Sequence, residues 1–500
     1  MSWYKPAPVF AAIFLALFSV QGEESRPNIL WFVVDDMSAS FSSYGETVIE
    51  TPNVDRLAKE GTRFTHAYIT APVCSACRSA LITGLYQTTI GAHHHRSGRG
   101  EIKIHLPDGV EPVPAIFQRA GYHTCIGSGL GGIDNSGRTI PENVPAKRRF
   151  GKTDYNFEWT PSIYDHYDWS ARKEGQPFFM QVQLHGGKMR EGAIGSRGPF
   201  RQRVVETFGS LTDPEDVILP PYYPHDPVIL QDWADYLDSV RMTDHHVGLV
   251  LDRLKEEKLL ENTLIIFMTD HGISHARGKQ FLFDEGAHIP FIVRGPGIEA
   301  GLERNDLIEQ IDMVPLSLAA AGIPVPEILQ GKDLFAADYI PRTTVFAARD
   351  RCDETTDKIR SLRDERFLYI RNYHPDRPHL QPNAYKDGKD ILIALRADYD
   401  AGSLPPISEK LLFSPMRSPE ELYDYRKDTY QTNNLAADPA FAETLEAMRK
   451  GLDEMLVRTH DPDPETPEMY DSDMAEYLKR QNPIVEANIK LMKKWASEGK

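Results

Sequence analysis

Ile29-Leu30-Trp31-Phe32-Val33-Val34-Asp35-Asp36 is an unbroken run of six apolar residues closed by two carboxylates. A run with no polar alternation reads as a strand covered on both faces, the habit of parallel sheets flanked by helices. Working outward, the same texture returns at Phe178 to Leu184 after Pro177, at Leu264 to Met268, and at Ile289 to Val293. Helical patterns lie between these runs. One starts at Asn53, the expected cap, and continues to Glu60. A long amphipathic one lies within Asp226 to Glu257, with Leu230, Trp233, Tyr236, Leu237 and Val240 near helical spacing. A short one covers Asp312 to Ala321 and is stopped by Gly322 and Pro324. This alternation predicts an α/β fold built on a mostly parallel sheet. Open sheets of this kind bind ligands at the carboxyl ends of their strands. Asp35-Asp36 and Asp270-His271 both follow such runs.

Past residue 355 the texture changes. Short strand candidates at Phe367 to Ile370 and Leu422 to Tyr425 stand among segments rich in proline and charge. The organisation read from this is an export signal over 1–22, a main catalytic domain over 23–355, a smaller antiparallel α+β domain over 356–460 and a tail over 461–500. The tail is acidic and ends in a polar helix candidate, Pro483 to Ser497. The export signal rests on Lys5, the apolar run Pro8 to Val20 and a cleavage point near Gly22, which predicts a secreted or periplasmic protein. That run is short for a bilayer, and no later stretch approaches about 20 apolar residues, so no stable membrane anchor is expected. With 56 Lys+Arg against 73 Asp+Glu, the net charge of −17 excludes a nucleic-acid binder that relies on global charge. Four cysteines in 500 residues make no disulfide framework.

The densest chemistry lies in Cys74-Ser75-Ala76-Cys77-Arg78, followed by Ser79-Ala80-Leu81-Ile82-Thr83-Gly84. Cys74 and Cys77 form a CxxC pair, but a zinc site would want a second such pair, and the adjacent imidazoles of His93, His94 and His95 cannot all face one metal. Thr243-Asp244-His245 repeats the tripeptide Thr269-Asp270-His271. The first copy falls inside the long helix and reads as structural, as does His246; only the second follows a buried strand.

The Cys-x-Ala-x-Arg run with its Leu-x-Thr-Gly continuation resembles the signature of type I sulfatases, which have the alkaline-phosphatase-like fold. Further family-like segments follow in order: Pro27 to Leu30 leading to Asp35-Asp36, Asn53 to Ala58, Gly151-Lys152, Thr269 to Gly272, Gly278-Lys279 and Glu421 to Asp424. The resemblance implies a mixed, mostly parallel sheet flanked by helices, with a smaller C-terminal domain carrying an antiparallel sheet. It implies that Cys74 is oxidised to formylglycine by a formylglycine-generating or radical maturase. It also implies a calcium ion on Asp35, Asp36, Asp270, His271 and matured residue 74, with Lys152 and Lys279 gripping sulfate and Arg78, the arginine of the signature, among the catalytic residues. Oxygen ligands suit calcium, and a sulfate monoester needs positive charge where charge develops.

Two departures from the family pattern stand out. The family often continues Lys-x-His where this chain has Lys152-Thr153-Asp154, and His-x-Pro-His where it has His185-Gly186-Gly187-Lys188. Either Lys188 binds the leaving oxygen by register, or His185 serves as general acid by its pKa. His93, His94, His95, Arg96, Arg349 and Arg351 are candidates for contacting a sulfated saccharide. The activity implied is hydrolysis of sulfate esters on such a saccharide. Alternatives are a phosphonate or phosphate ester hydrolase of the same superfamily, a sulfamidase acting on N-sulfated glucosamine, and a non-catalytic sulfoglycan-binding relative.

Overall fold

The centre of the fold is β1 (Asn28–Val34), which lies parallel to β4 (Phe178–Leu184) on one side and to β5 (Thr263–Thr269) on the other. The computed structural model describes residues 26–134, 138–141, 150–190, 192–463 and 465–500; the expected export signal over 1–22 lies outside them. β2 (Thr62–Tyr68), β3 (His123–Gly127), β6 (His288–Arg294) and β7 (Leu302–Glu309) complete a seven-stranded sheet in the order β3-β4-β1-β5-β6-β2-β7. β6 runs antiparallel to both of its neighbours, so the sheet is mixed and mostly parallel. The unbroken apolar text of β1 has its reason here. Leu30, Phe32 and Val34 enter one core cluster, while Ile29, Trp31 and Val33 enter another on the opposite face.

Four further strands, β8 (Val345–Arg349), β9 (Ile359–Arg363), β10 (Phe367–Asn372) and β11 (Glu420–Asp424), make a separate antiparallel sheet in the order β11-β10-β9-β8. Among the described residues no helix is long and apolar enough to cross a membrane.

The helices relevant to the site are α1 (Pro52–Glu60), α2 (Cys74–Thr83), α3 (Pro227–Glu256), α4 (Met313–Ala320), α5 (Pro467–Leu478) and α6 (Pro483–Ser497). Asn53 does not cap α1, contrary to the sequence reading. Pro52 occupies the first turn, and Asp244 of α3 supplies the acceptors instead. Its Oδ1 takes the N–H groups of Asn53 at 3.0 Å and Val54 at 2.8 Å, and its Oδ2 takes Asn53 Nδ2 at 2.8 Å. Proline brings no N–H, so these are the first donors the helix end offers. The Thr-Asp-His tripeptide at 243–245 therefore has a structural task. His246 is buried, with Nε2 2.9 Å from the Ser128 carbonyl.

Residues 461–500 are more than a trailing segment. Tyr470 and Met474 of α5 pack on Val485, Ile489 and Met492 of α6. Asp473 accepts from Arg351 Nη2 at 2.6 Å and from the Arg99 N–H at 3.2 Å. α5 thus leans on the 93–99 stretch, with α6 packed behind it.

Replacing Asp244 by Ala should cost about 1–2 kcal/mol of stability through the lost cap, and Asp244→Asn should keep most of it; urea unfolding midpoints decide. A pH dependence follows from buried histidines. Burial pushes His246 down from 6.5 to about 4 and His275 down to about 3. As pH falls below about 6.5 the unfolded chain takes up protons that the folded chain refuses. Their contribution is therefore complete above that pH and lost on acidification toward pH 4. The melting temperature of His246→Gln should fall less steeply over that window than wild type; parallel curves would refute the assignment.

Candidate active site

The register of the central strands gathers the chemistry. Val34 stands opposite both Leu184 of β4 and Thr269 of β5, so the residues that follow these strands emerge side by side. The Asp270 N–H donates to Val34 O at 2.8 Å, and the Asp35 N–H to Leu184 O at 3.0 Å. Asp36 turns out of the strand with φ of 49°, a left-handed conformation that Asp tolerates better than most residues. Its N–H then donates to Asp270 Oδ1 at 3.1 Å.

Arg78, on the second turn of α2, is 2% exposed and binds this group from below. Nε donates to Asp270 Oδ2 at 3.0 Å, Nη2 donates to Asp35 Oδ1, and Nη1 donates to Gln183 Oε1. Burial opposes the Arg78 charge, but Asp35 and Asp270 outweigh it and raise its pKa. Burial likewise pushes the Asp35 carboxyl up, yet Arg78, Lys152 and Lys188 together hold it well below its ordinary range.

Cys74 opens α2 and faces this assembly, 2% exposed. Its Sγ lies 3.1 Å from His271 Nε2, 3.2 Å from Lys279 Nζ and 3.5 Å from Lys188 Nζ. Burial alone would push the thiol up. Lys152, Lys188, Lys279 and His271 reverse that and hold it well below its ordinary value. Cys77 points instead into the apolar core, where burial and Asp270 push its thiol well up. The two cysteines of the CxxC run thus occupy opposite electrostatic environments.

Each lysine also meets carboxylate. Lys152 and Lys188 reach Asp35 Oδ2 at 3.0 Å, and Lys279 reaches Asp36 Oδ1 at 3.1 Å. Lys188 arrives on a tight turn, Gly186–Arg190, that packs directly on the backbone of the acid pair. A Cβ at Gly187 would stand 2.2 Å from Asp36 O, and Gly186, at φ 51°, would meet Asp35 O at 2.2 Å. The two glycines are therefore the condition for Lys188 reaching the site. His185 lies at the mouth, lining with Lys152, Phe150 and Ile140 a cleft of about 400 Å3 that opens onto Asp35.

The candidate sugar-contacting residues separate into two groups. His95 has one ring nitrogen within 4.8 Å of Cys74 Sγ and of an Asp154 carboxylate oxygen. Arg96 is half-buried, its N–H bonded to Ser75 Oγ at 2.8 Å, and Asp154 and Asp353 raise its pKa against burial. His93 and His94 are buried behind them, near Asp350, with His94 Nδ1 accepting from the Arg351 N–H at 3.3 Å. Arg349 pairs with Asp357 at 1% exposure, and Arg351 pairs with Glu465 and Asp473. These two arginines brace the wall of the site, and their charge is spent on buried carboxylates.

Two participants carried no sequence signal of their own. Gln183 alternates with Gln181 in β4. Tyr385, from the short helix Ala384–Asp387, donates its hydroxyl to Asp36 Oδ2 at 3.1 Å. Only its distance in sequence, over 300 residues from Asp36, hid it.

Asp36, Cys74 and His271 bring donor atoms within 4.8 Å of one another, and Asp35 and Asp270 are tied to them through Arg78 and the Asp36 N–H. This donor set, mostly carboxylate oxygen, fits a hard divalent cation. Around it, four cationic side chains surround one buried nucleophile position, an arrangement that receives an anionic substrate.

A family model described as Sulfatase matches residues 27–323. An ulvan-active sulfatase of Formosa agariphila is 30% identical over 478 residues, covering 87% of this chain and 76% of that protein. Human N-sulphoglucosamine sulphohydrolase is 27% identical over 498 residues, covering 91% and 95%. Among solved structures, one in complex with its substrate D-glucosamine-2-N,6-O-disulfate superposes with a TM-score of 0.60 at 18% identity, covering 88% of this chain and 99% of that one. A phosphonate monoester hydrolase from Silicibacter pomeroyi shares the fold at a TM-score of 0.54 and 18% identity, covering 87% and 96%.

Gly187→Ala should displace the turn from Asp36 and carry Lys188 with it. A loss of kcat/KM of about a hundredfold is expected, since displacements near 1 Å at a catalytic group have effects of that order. Near-normal kinetics in this variant would show that Lys188 is not needed at the carboxylates.

Proposed function

Because the chain belongs to the sulfatase family and is a sulfuric ester hydrolase, we propose that it removes sulfate from a sulfated saccharide, with Cys74 matured to formylglycine and calcium held by the neighbouring acids. The observation that carries this reading is the placement of Cys74 Sγ within 3.5 Å of Lys188, Lys279 and His271 at the carboxyl ends of β1 and β5. The saccharide class is supported by the relatives, named for activity on ulvan and for N-sulphoglucosamine.

A hydrated aldehyde at residue 74 supplies two hydroxyls, one to attack sulfur and one whose deprotonation restores the carbonyl and frees sulfate. Asp35, Asp36, Asp270 and His271 would hold the calcium, which would supply Lewis-acid chemistry to the attacking hydroxyl and to the sulfate oxygens. The chain's own residues do the rest. Arg78 fixes the spacing of Asp35 and Asp270. Lys152, Lys188 and Lys279 attract the sulfate anion and hold it over residue 74. His185 stands on the open side of Asp35, where a leaving alcohol would exit, and Lys188 stands beneath it. Burial of Lys279 and Lys188 keeps most bulk water from their charges, which raises their effect on the anion. Asp35 and Asp36 in turn keep Lys188 and Lys279 protonated against their burial. Export of the chain and encounter with a maturase belong to the same reading, since Cys74 in its native form lacks the second hydroxyl.

The test combines chemistry and metal content. Protein produced with a maturase is assayed for free sulfate against O- and N-sulfated oligosaccharides, with residue 74 followed by peptide mass spectrometry and calcium by elemental analysis. Turnover is expected only from the matured form, and Asp270→Ala should lose both calcium and nearly all activity. Sustained turnover by a free-thiol preparation, or full calcium occupancy in Asp270→Ala, would overturn the reading.

A further inference from the structure

Charge around residue 74 is largely paired off. Arg78, Lys152 and Lys188 meet Asp35, and Lys279 and His271 meet Asp36. Arg99 binds Asp154, while Arg349 and Arg351 are committed to acids behind the wall. Arg96 is different: its guanidinium makes no ion pair among the described residues, and its Nε is buried without a hydrogen-bond partner there. The two carboxylates that support its charge, Asp154 and Asp353, are engaged elsewhere. Asp154 is held by Arg99 and Lys152, and Asp353 by His95 and the hydroxyl of Tyr477 from α5. A buried donor left unpaired carries a desolvation cost that an incoming acceptor removes.

The backbone keeps this side chain where it is at some strain. Arg96 has φ of 57°, the left-handed region in which a long side chain is uncommon. Its N–H donates to Ser75 Oγ at 2.8 Å, so the turn is pinned to the residue that follows the nucleophile position. The residue is half-buried and thus partly open to an approaching ligand. Strain of this kind is kept where the side chain is used.

We propose that Arg96 forms a subsite for a second oxyanion of the substrate, a carboxylate or a further sulfate on the same or the adjoining sugar. The inference rests on the sulfatase reading and narrows its substrate class to saccharides that carry more than one negative charge near the scissile ester. The scissile sulfate is met by three lysines that bring their own counter-ions; Arg96 brings a charge with no carboxylate bonded to it. Its planar guanidinium offers two parallel donors to either anion, which an ammonium group would not.

Methyl glycosides of glucose and galactose serve as probes in three forms: with one sulfate, with a second sulfate, and as the singly sulfated uronide. The unmatured chain should bind at least one doubly charged form more tightly than the singly charged one in titration calorimetry at fixed ionic strength. Whichever form is preferred identifies the oxyanion as sulfate or carboxylate. Arg96→Asn, which the left-handed backbone tolerates, should cut that preference about tenfold, the scale of a lost hydrogen bond to a charged group. Arg96→Lys should fall between. Failure to bind either doubly charged form, absence of preference in wild type, or an undiminished preference in Arg96→Asn overturns the proposal without reference to activity. In matured protein the same preference is read from kcat/KM for sulfate release, with the Arg96→Asn loss carried by KM. An equal loss on all three probes overturns the proposal. Matured wild type that binds with the expected preference yet frees sulfate from none of the probes overturns the sulfatase reading instead.

Discussion

The guanidinium of Arg78 is the contact on which the rest depends. It enters from α2 and ties together the ends of three adjacent strands: Asp35 after β1, Gln183 in β4 and Asp270 after β5. Without it, Asp270 would lose its closest cationic partner and Asp35 would be left to its two lysines. Removing one partner of such an assembly commonly costs several kcal/mol. The same bonds fix how far α2 slides along the sheet, and hence where Cys74, four residues earlier, presents its side chain. Position of the nucleophile and cohesion of the sheet end are one interaction.

Around that clamp, charge is arranged in alternation. Asp35 is flanked by Arg78, Lys152 and Lys188, and Asp36 by Lys188, Lys279 and His271. Asp35 and Asp36, which could hold a cation, are also the counter-ions of lysines that could hold an anion. The site can therefore be buried before any ligand arrives, because its charges satisfy one another at hydrogen-bond distance. An arriving sulfate and metal would repartition these pairs, each taking the charges of opposite sign. Preorganisation of this kind is what makes electrostatic catalysis effective.

Much of this was legible in the sequence because strand ends are local. The apolar runs Ile29 to Val34 and Leu264 to Met268 each announce where a strand stops, and the next residues are the acids and His271. The motif around Cys74 is likewise contiguous. What escaped the sequence was long-range or negative. Tyr385 comes from a helix of four residues with no pattern. The cap of α1 is delivered by Asp244 from a distant helix, a donor–acceptor match that no spacing encodes. The polar, cationic look of Arg349 and Arg351 suggested substrate contacts, but their partners Asp357, Glu465 and Asp473 lie up to 122 residues further on and consume that charge. The Gly186-Gly187 pair read only as a departure from the family pattern; its meaning is steric and appears only when the turn is laid on the acid pair.

The packing of α5 against the 93–99 segment also has a consequence in time. Residue 74 sits behind Tyr385, and the wall beside it is braced by Asp473 and Tyr477, all supplied by the last quarter of the chain. During vectorial synthesis, the stretch around Cys74 leaves the ribosome some four hundred residues before that wall is complete. In the finished fold the thiol is 2% exposed, out of reach of any modifying protein. The order of residues along the chain thus sets a clock: a macromolecule that must touch Cys74 has the interval before the C-terminal helices dock.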